Sequence, residues 1–206
     1  MRKILGTKKQ YYIQTNNAQV ELFKDYFGQK KYIACGPTAV VMCLDIAGWP
    51  MEVFTPGEQP EDSILMIAHN PNNLKKIKER RELDYDKYPP NEVPQVYEVV
   101  CEIIYGVKNV CKLGWGLTYT IIKNNILQGK PMVICGKFPA GGHYVSCVGF
   151  DDEKGVIIYN DPYPDQWQDK KGYNREMTID YLNKMFKWRI DFKVYDPLLI
   201  KYDIPE

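Results

Sequence analysis

Cys35 stands directly before Gly36, Pro37 and a long apolar run, and Gln29 precedes it by six residues. Much later come His143, in GGHYVSCVGF, and the pair Asn160-Asp161, in VIIYNDP. A thiol at a helix start, an imidazole on a strand and a carboxylate or amide one strand further on are the parts of a cysteine hydrolase. The thiolate is the nucleophile, and a free thiol, with a pKa of about 8.5, is mostly protonated at neutral pH. A helix N-terminus supplies unpaired N–H groups and partial positive charge, both of which stabilise the anion. Gly36 adds room for a substrate to approach the backbone.

The other residues fit the remaining roles. A base must take the thiol proton and return it to the leaving amine, and His143, flanked by Gly141 and Gly142, has space around its ring. Negative charge builds on the carbonyl oxygen during acyl transfer, and the Gln29 amide and the Cys35 N–H are candidate donors to it. A third group must hold the imidazole in one orientation, and Asp161 and Asn160 compete for that place. Singly these residues read as a buried thiol, a loop glutamine, a structural histidine and a strand-ending turn. The chemistry lies in the ordered set.

Strand geometry separates Asp161 from Asn160, because alternate side chains face opposite ways. With DDEKG (151–155) as a five-residue loop, Phe150 lies opposite Val156 and His143 opposite Tyr163. Asp161 is then a diagonal neighbour on the same face as His143, and Asn160 points away. A bulge would shift this parity.

The elements that must position these groups follow from pattern. Residues 1–15 read as an extended arm or first strand, Asn16–Phe27 as a short helix or packed loop, and Gln29–Ala34 as an extended approach to Cys35. The run from Pro37 through Ala47 reads as a buried helix with proline in its first turn, ended by Gly48-Trp49-Pro50. Phe54–Asp62 reads as a loop, Ser63–Ile67 as a brief helix, and Asn70–Asn73 as a turn. His69 reads as a surface loop residue. Leu74–Asp86 reads as a solvated helical face. Val96–Tyr105 reads as a helix with Val96, Val99, Val100, Ile103 and Ile104 inward, and Thr118–Leu127 as another. Met132–Cys135, His143–Phe150 and Val156–Tyr159 have strand character, Asp180–Trp188 looks helical, and Phe192–Tyr202 is expected to close the sheet. Helices first and an antiparallel sheet after is an α+β arrangement in one domain, helical over about 16–130 and sheet over about 131–206.

Composition narrows the function. The chain has 206 residues, 45% apolar and 26% charged, enough for a full core. A formal net charge of +1 excludes an excess of cations to neutralise many phosphates, so no nucleic-acid partner is expected. Apolar runs fall short of the roughly 20 residues a membrane span needs, so no stable membrane insertion is expected. The basic N-terminus lacks the apolar core of a Sec-type signal. Synthesis and residence in the cytoplasm are therefore expected. The six cysteines include no CxxC pair and the histidines are only His69 and His143, so buried reduced thiols, no structural zinc and no cofactor are expected. The acidic turn 151–155 lacks the spacing of a calcium loop and reads as a hairpin.

Gln29, Cys35-Gly36-Pro37-Thr38-Ala39, Gly142-His143-Tyr144 and Asn160-Asp161-Pro162, in this order, resemble the bacteriocin-leader-processing peptidases and their stand-alone relatives in the papain-like superfamily. The resemblance runs from about Gln29 to Trp188. It implies a papain-like fold, Gln29 in the oxyanion hole, Cys35 as nucleophile, and His143 with the pre-proline Asp161 completing the site. One departure is Ala34, where leader-processing members usually carry an acid, and no transporter portion is present; export-coupled leader cleavage is not expected. Resemblance to phage-type lytic enzymes implies cleavage of a peptide or amide bond in bacterial peptidoglycan, acting at the cell wall. The alternatives are a cytoplasmic cysteine peptidase acting on a protein or leader peptide, and an inactive papain-like module that only binds peptides. The sequence leaves the oligomeric state open.

Overall fold

The structure is a computed structural model that describes residues 1–16, 34–49, 51–53, 56–81, 94–137 and 142–195. Gln29, the expected 16–27 helix beyond Asn16, most of the 29–34 approach, and 82–86 lie outside the described residues.

The helix that opens on the thiol is α1, Cys35–Ile46, and every residue from Cys35 to Leu44 is buried. Such all-round burial suits its unbroken apolar composition, with a neighbour on each side. Ser146 on the sheet donates its hydroxyl to the Ala39 carbonyl at 2.9 Å, and Thr38 bonds back to the Ala34 carbonyl at 2.7 Å. Gly48, at φ +89°, turns the chain out of the helix in the left-handed region that glycine adopts without strain.

On one side of α1 lie α2 (Pro60–His69), α3 (Pro71–Arg81) and α4 (Gln95–Tyr105). The acidic stretch expected to be loop through Asp62 is instead the first turn of α2. Asp62 accepts from the Gln59 N–H at 2.8 Å and Pro60 fills the first helical position, so acid and proline here mark a helix start. Asn70–Asn73 is likewise no free turn. Pro71 begins α3, and the Asn70 side chain accepts from the Asn72 N–H at 3.0 Å. His69 is half-buried in the last position of α2 rather than in a surface loop. In α4, Val96, Val99 and Val100 are buried as expected, but Ile103 is 36% exposed.

Among the described residues seven strands form one antiparallel sheet: β1 (Arg2–Ile4), β2 (Cys111–Trp115), β3 (Met132–Lys137), β4 (Gly142–Asp151), β5 (Val156–Asn160), β6 (Arg175–Thr178) and β7 (Phe186–Phe192). Their order is β2-β7-β3-β4-β5-β6, with β1 pairing the far half of β4. The sheet thus recruits β2 from the part of the chain expected to be helical, while β1 falls within the 1–15 segment read as an extended arm or first strand. The last helix, α6, is Ile179–Met185, and the chain passes straight into β7 at Phe186. The helix expected over Asp180–Trp188 therefore ends at Met185, its last three residues being strand, and β7 pairs with β2 and β3. Of the segment expected to close the sheet, Phe192 ends β7 and 196–202 lie outside the described residues.

Side chains alternate across the sheet. Val133, Cys135, Tyr144 and Ile190 pack toward α1, α2 and α4. Met132, Ile134, Val145, Cys147 and Ile157 pack on the opposite face with Ile122 and Ile126 of α5 (Tyr119–Leu127) and with Leu182 of α6. The fold is α+β, with helices on both faces of an antiparallel sheet. Among the described residues no helix is long and apolar enough to cross a membrane.

Candidate active site

The β4–β5 hairpin sets the positions of His143 and Asp161. Asp151 pairs with Val156 and Phe150 with Ile157, so the turn is the four residues Asp152–Gly155 and not the five of DDEKG. One residue later the register shifts between Cys147 and Gly149, after which Cys147 pairs with Tyr159 and Ser146 with Asn160. The extra residue, Val148, restores the pairing that the shorter turn displaced. Cys147 and Phe150 both lie in the same core cluster, although regular alternation would separate them, as a bulge between them requires. Two one-residue departures cancel, and His143 and Asp161 keep the same parity.

The geometry joins them. His143 Nε2 lies 2.8 Å from Asp161 Oδ1. A carboxylate only accepts, so the ring proton sits on Nε2 and the other nitrogen, Nδ1, is left for Cys35. His143 and Cys35 are hydrogen-bonded. The three are almost wholly enclosed, with Cys35 8%, His143 7% and Asp161 0% exposed. Burial alone would disfavour the imidazolium, but the bonds and charges of Asp161 and Cys35 outweigh it and push His143 up to about 10. Asn160, by contrast, turns away, its Oδ1 accepting the Asn174 N–H at 2.9 Å.

Cys35 is the first residue of α1, so its N–H and that of Gly36 are free of helical partners while Pro37 has none to offer. The site therefore presents backbone donors beside the sulfur, which is where a carbonyl oxygen would acquire charge.

Asp161 is held more completely than the strand pattern foretold. Its Oδ1 also accepts the Tyr163 N–H at 2.8 Å. Its Oδ2 accepts Gln166 Nε2 at 2.6 Å and Trp167 Nε1 at 2.9 Å. The backbone is fixed on both sides: Asp161 N–H donates to the Gly172 carbonyl at 2.7 Å, and the Tyr11 hydroxyl donates to the Asp161 carbonyl at 2.8 Å. Burial, with Asp161 and Asp165 nearby, pushes the Tyr11 hydroxyl well up, so it remains a donor. A side chain at Gly172 would collide with the Tyr11 hydroxyl and the Asp161 carbonyl, which explains glycine there by close approach.

Gln166, Trp167 and Tyr11 were not singled out from the sequence. The first two follow Asp161 in the irregular stretch PYPDQWQ, where a run of donors after NDP was the available signal. Tyr11 arrives from 150 residues away and left none. Gln14 is a fourth such residue. It is 2% exposed, its N–H donates to the Pro162 carbonyl at 2.9 Å, and among the described residues its Oε1 has no hydrogen-bond partner. Gln29, the glutamine chosen from sequence, lies outside the described residues.

The side chains of the acidic turn at 151–155 are engaged within the protein, Asp151 Oδ1 accepting the Glu153 and Lys154 N–H groups. Asp152 accepts from Lys123 at 2.7 and 2.8 Å and from Tyr119 at 2.8 Å, and Lys154 pairs with Glu176 at 2.8 Å. Among the described residues no cluster of three or more metal-ligating side chains occurs.

Comparison with known proteins bears on the fold and the family. None of the curated proteins matches the chain. Among solved structures, the crystal structure of a candidate C39-like peptidase from Bacillus anthracis shares the fold, with a TM-score of 0.51 at 11% identity, over 92% of this chain and 96% of that one. The Peptidase_C39 like family matches residues 10–189, a span that includes Cys35, His143 and Asp161, and the chain belongs to this papain-like family of cysteine peptidases.

Proposed function

We propose that the protein is a cysteine peptidase or amidohydrolase that cleaves a peptide or amide bond through a thioester on Cys35. The observation that carries this reading is the buried Cys35–His143–Asp161 chain, with His143 bonded to the thiol on one side and to the carboxylate on the other. His143 takes the Cys35 proton, which leaves an imidazolium beside the thiolate nucleophile. The thiolate attacks the carbonyl carbon, and the Cys35 and Gly36 N–H groups receive the developing oxyanion. His143 gives its proton to the leaving amine, then takes one from water, whose oxygen attacks the thioester and releases the acid. Asp161 keeps the ring in one tautomer throughout.

A glutamine amide is a candidate for the remaining oxyanion donor. Gln29 is the first choice by its place six residues before Cys35, and Gln14 is the second by its buried position against Pro162. Alanine at the one that serves should cost roughly a hundredfold in rate, and alanine at the other little.

For the substrate, the proposal is a peptide or amide bond of bacterial peptidoglycan, on the resemblance to lytic enzymes. Purified walls of several peptide chemistries, set beside a panel of proteins and leader-like peptides, test it. Release of amino groups from walls, abolished in Cys35→Ala, is the expected result. Cleavage of the proteins alone would replace the wall substrate with a protein one. Turnover retained by Cys35→Ala would remove the mechanism itself.

A further inference from the structure

Asp161 has only one oxygen, Oδ1, toward His143, and what fixes that oxygen is the loop that follows it. An ionised carboxylate can take about four hydrogen bonds. Asp161 takes four: His143 and the Tyr163 N–H on Oδ1, Gln166 and Trp167 on Oδ2. The Gln166 amide cannot be reversed, because its oxygen would then face the carboxylate at 2.6 Å. Its nitrogen also lies 3.2 Å from His143 Nε2. Both nitrogens carry protons aimed at the same carboxylate, so this is side-by-side donation and not a bond between them.

Trp167 is held in turn. The Arg175 guanidinium lies 3.9 Å from the centre of its ring and is anchored by Asp169 at 2.9 Å and the Lys171 carbonyl at 2.6 Å. A cation over the indole face is attractive in its own right, and it keeps the N–H edge turned to Asp161.

We propose that Gln166 is a positioning residue of the thiol site, and that Gln166 and Trp167 together lock the Asp161 carboxyl so that Oδ1 stays on His143 Nε2. The inference rests on the reading of Cys35, His143 and Asp161 given above. Without the two donors on Oδ2 the carboxyl turns about its Cβ–Cγ bond toward whatever proton is nearest. The His143 bond then loses its line, the imidazolium loses support, and the thiolate forms only at higher pH.

The test needs no substrate. The rate at which iodoacetamide alkylates Cys35 in the full chain, read by peptide mass mapping across pH, reports thiolate formation directly. Gln166→Leu should move the acid limb of that profile to higher pH by about one unit, with a smaller shift in the same direction for Trp167→Phe. Gln168→Leu, on the exposed part of the same loop, should leave it in place. Should Gln166→Leu unfold, Trp167→Phe keeps the ring under Arg175 and carries the same test. An acid limb that stays put or moves to lower pH in both variants overturns the proposal. If wild-type Cys35 itself shows no thiolate reactivity below the ordinary thiol range, the underlying reading fails instead, and the two failures are thereby distinguished.

Discussion

Among the described residues Glu61, Asp62 and Asp161 are fully buried acids, and two of them, Asp161 and Glu61, are treated in opposite ways. Asp161 and Glu61 are both 0% exposed. Asp161 receives four hydrogen bonds, whereas among the described residues no other residue donates to either oxygen of Glu61. Burial, with a further contribution from Asp62, pushes Glu61 up to about 7, against the pull of its own backbone N–H, which favours the anion. Burial alone therefore does not make a carboxylate useful; the donors around it do. One region of the fold spends a whole loop on holding an acid in place, and the other leaves an acid to shed its charge.

The sharpest way to break that contrast is to remove each acid. Asp161→Ala should lower turnover by roughly a hundredfold or more, the scale of a lost acid–base function. Asn160→Ala should cost far less, since that side chain bonds the Asn174 N–H and not the ring. Equal losses from the two, measured on the true substrate, would dissolve the distinction.

A smaller effect is expected from crowding the acid's backbone. Gly172→Ala places a methyl group on the Tyr11 hydroxyl and the Asp161 carbonyl, and overpacking of this kind costs about 1–3 kcal/mol. Chemical denaturation should show that loss, with slowed Cys35 alkylation as Asp161 shifts. Wild-type stability together with wild-type alkylation would mean that the loop yields without moving the carboxyl.

The smallest effect should come from Glu61. Its raised pKa means the folded state holds a proton that the unfolded chain releases above about 4.5. Stability from this group is thus fully present at acid pH and falls as pH rises from about 4.5 toward 7, remaining reduced above that. Glu61→Gln removes the titration. The difference in thermal midpoint between variant and wild type should swing in favour of the variant between acid and mildly alkaline pH, with activity unaffected. A difference constant with pH would show that Glu61 does not titrate in this range.

Legibility of the site from sequence divides along the same line. Cys35, His143 and Asp161 stand on or beside regular elements, so residue type, order and strand alternation were enough to bring them together. Even there the agreement passed through two compensating departures, a turn one residue shorter and a bulge at Val148. Alternation registers only their sum. Gln166, Trp167 and Arg175 sit on or after an irregular loop, and Tyr11 and Gln14 cross to Asp161 and Pro162 from the other end of the chain. Such contacts have no period to read. The fold shows a similar division. The long apolar helix and the central hairpin were evident, whereas β2, with Gly114 inside CKLGW, and β7, which continues α6 without a break, carry no clean pattern. Acid and proline at 58–62 were read as loop because their role as a helix start depends on the capping bond from Gln59 to Asp62.

The proposed mechanism requires His143, held by Asp161, to activate the sulfur of Cys35. None of the six cysteines is in a disulfide and all are buried, so burial does not single out one of them. Substoichiometric iodoacetamide at about pH 6, well below the ordinary thiol pKa of about 8.5, followed by mass mapping of every cysteine, asks the question directly. Label should fall on Cys35 first and overwhelmingly, and it should be lost in His143→Ala. Label spread evenly over the six, or a Cys35 rate unchanged in His143→Ala, would contradict it.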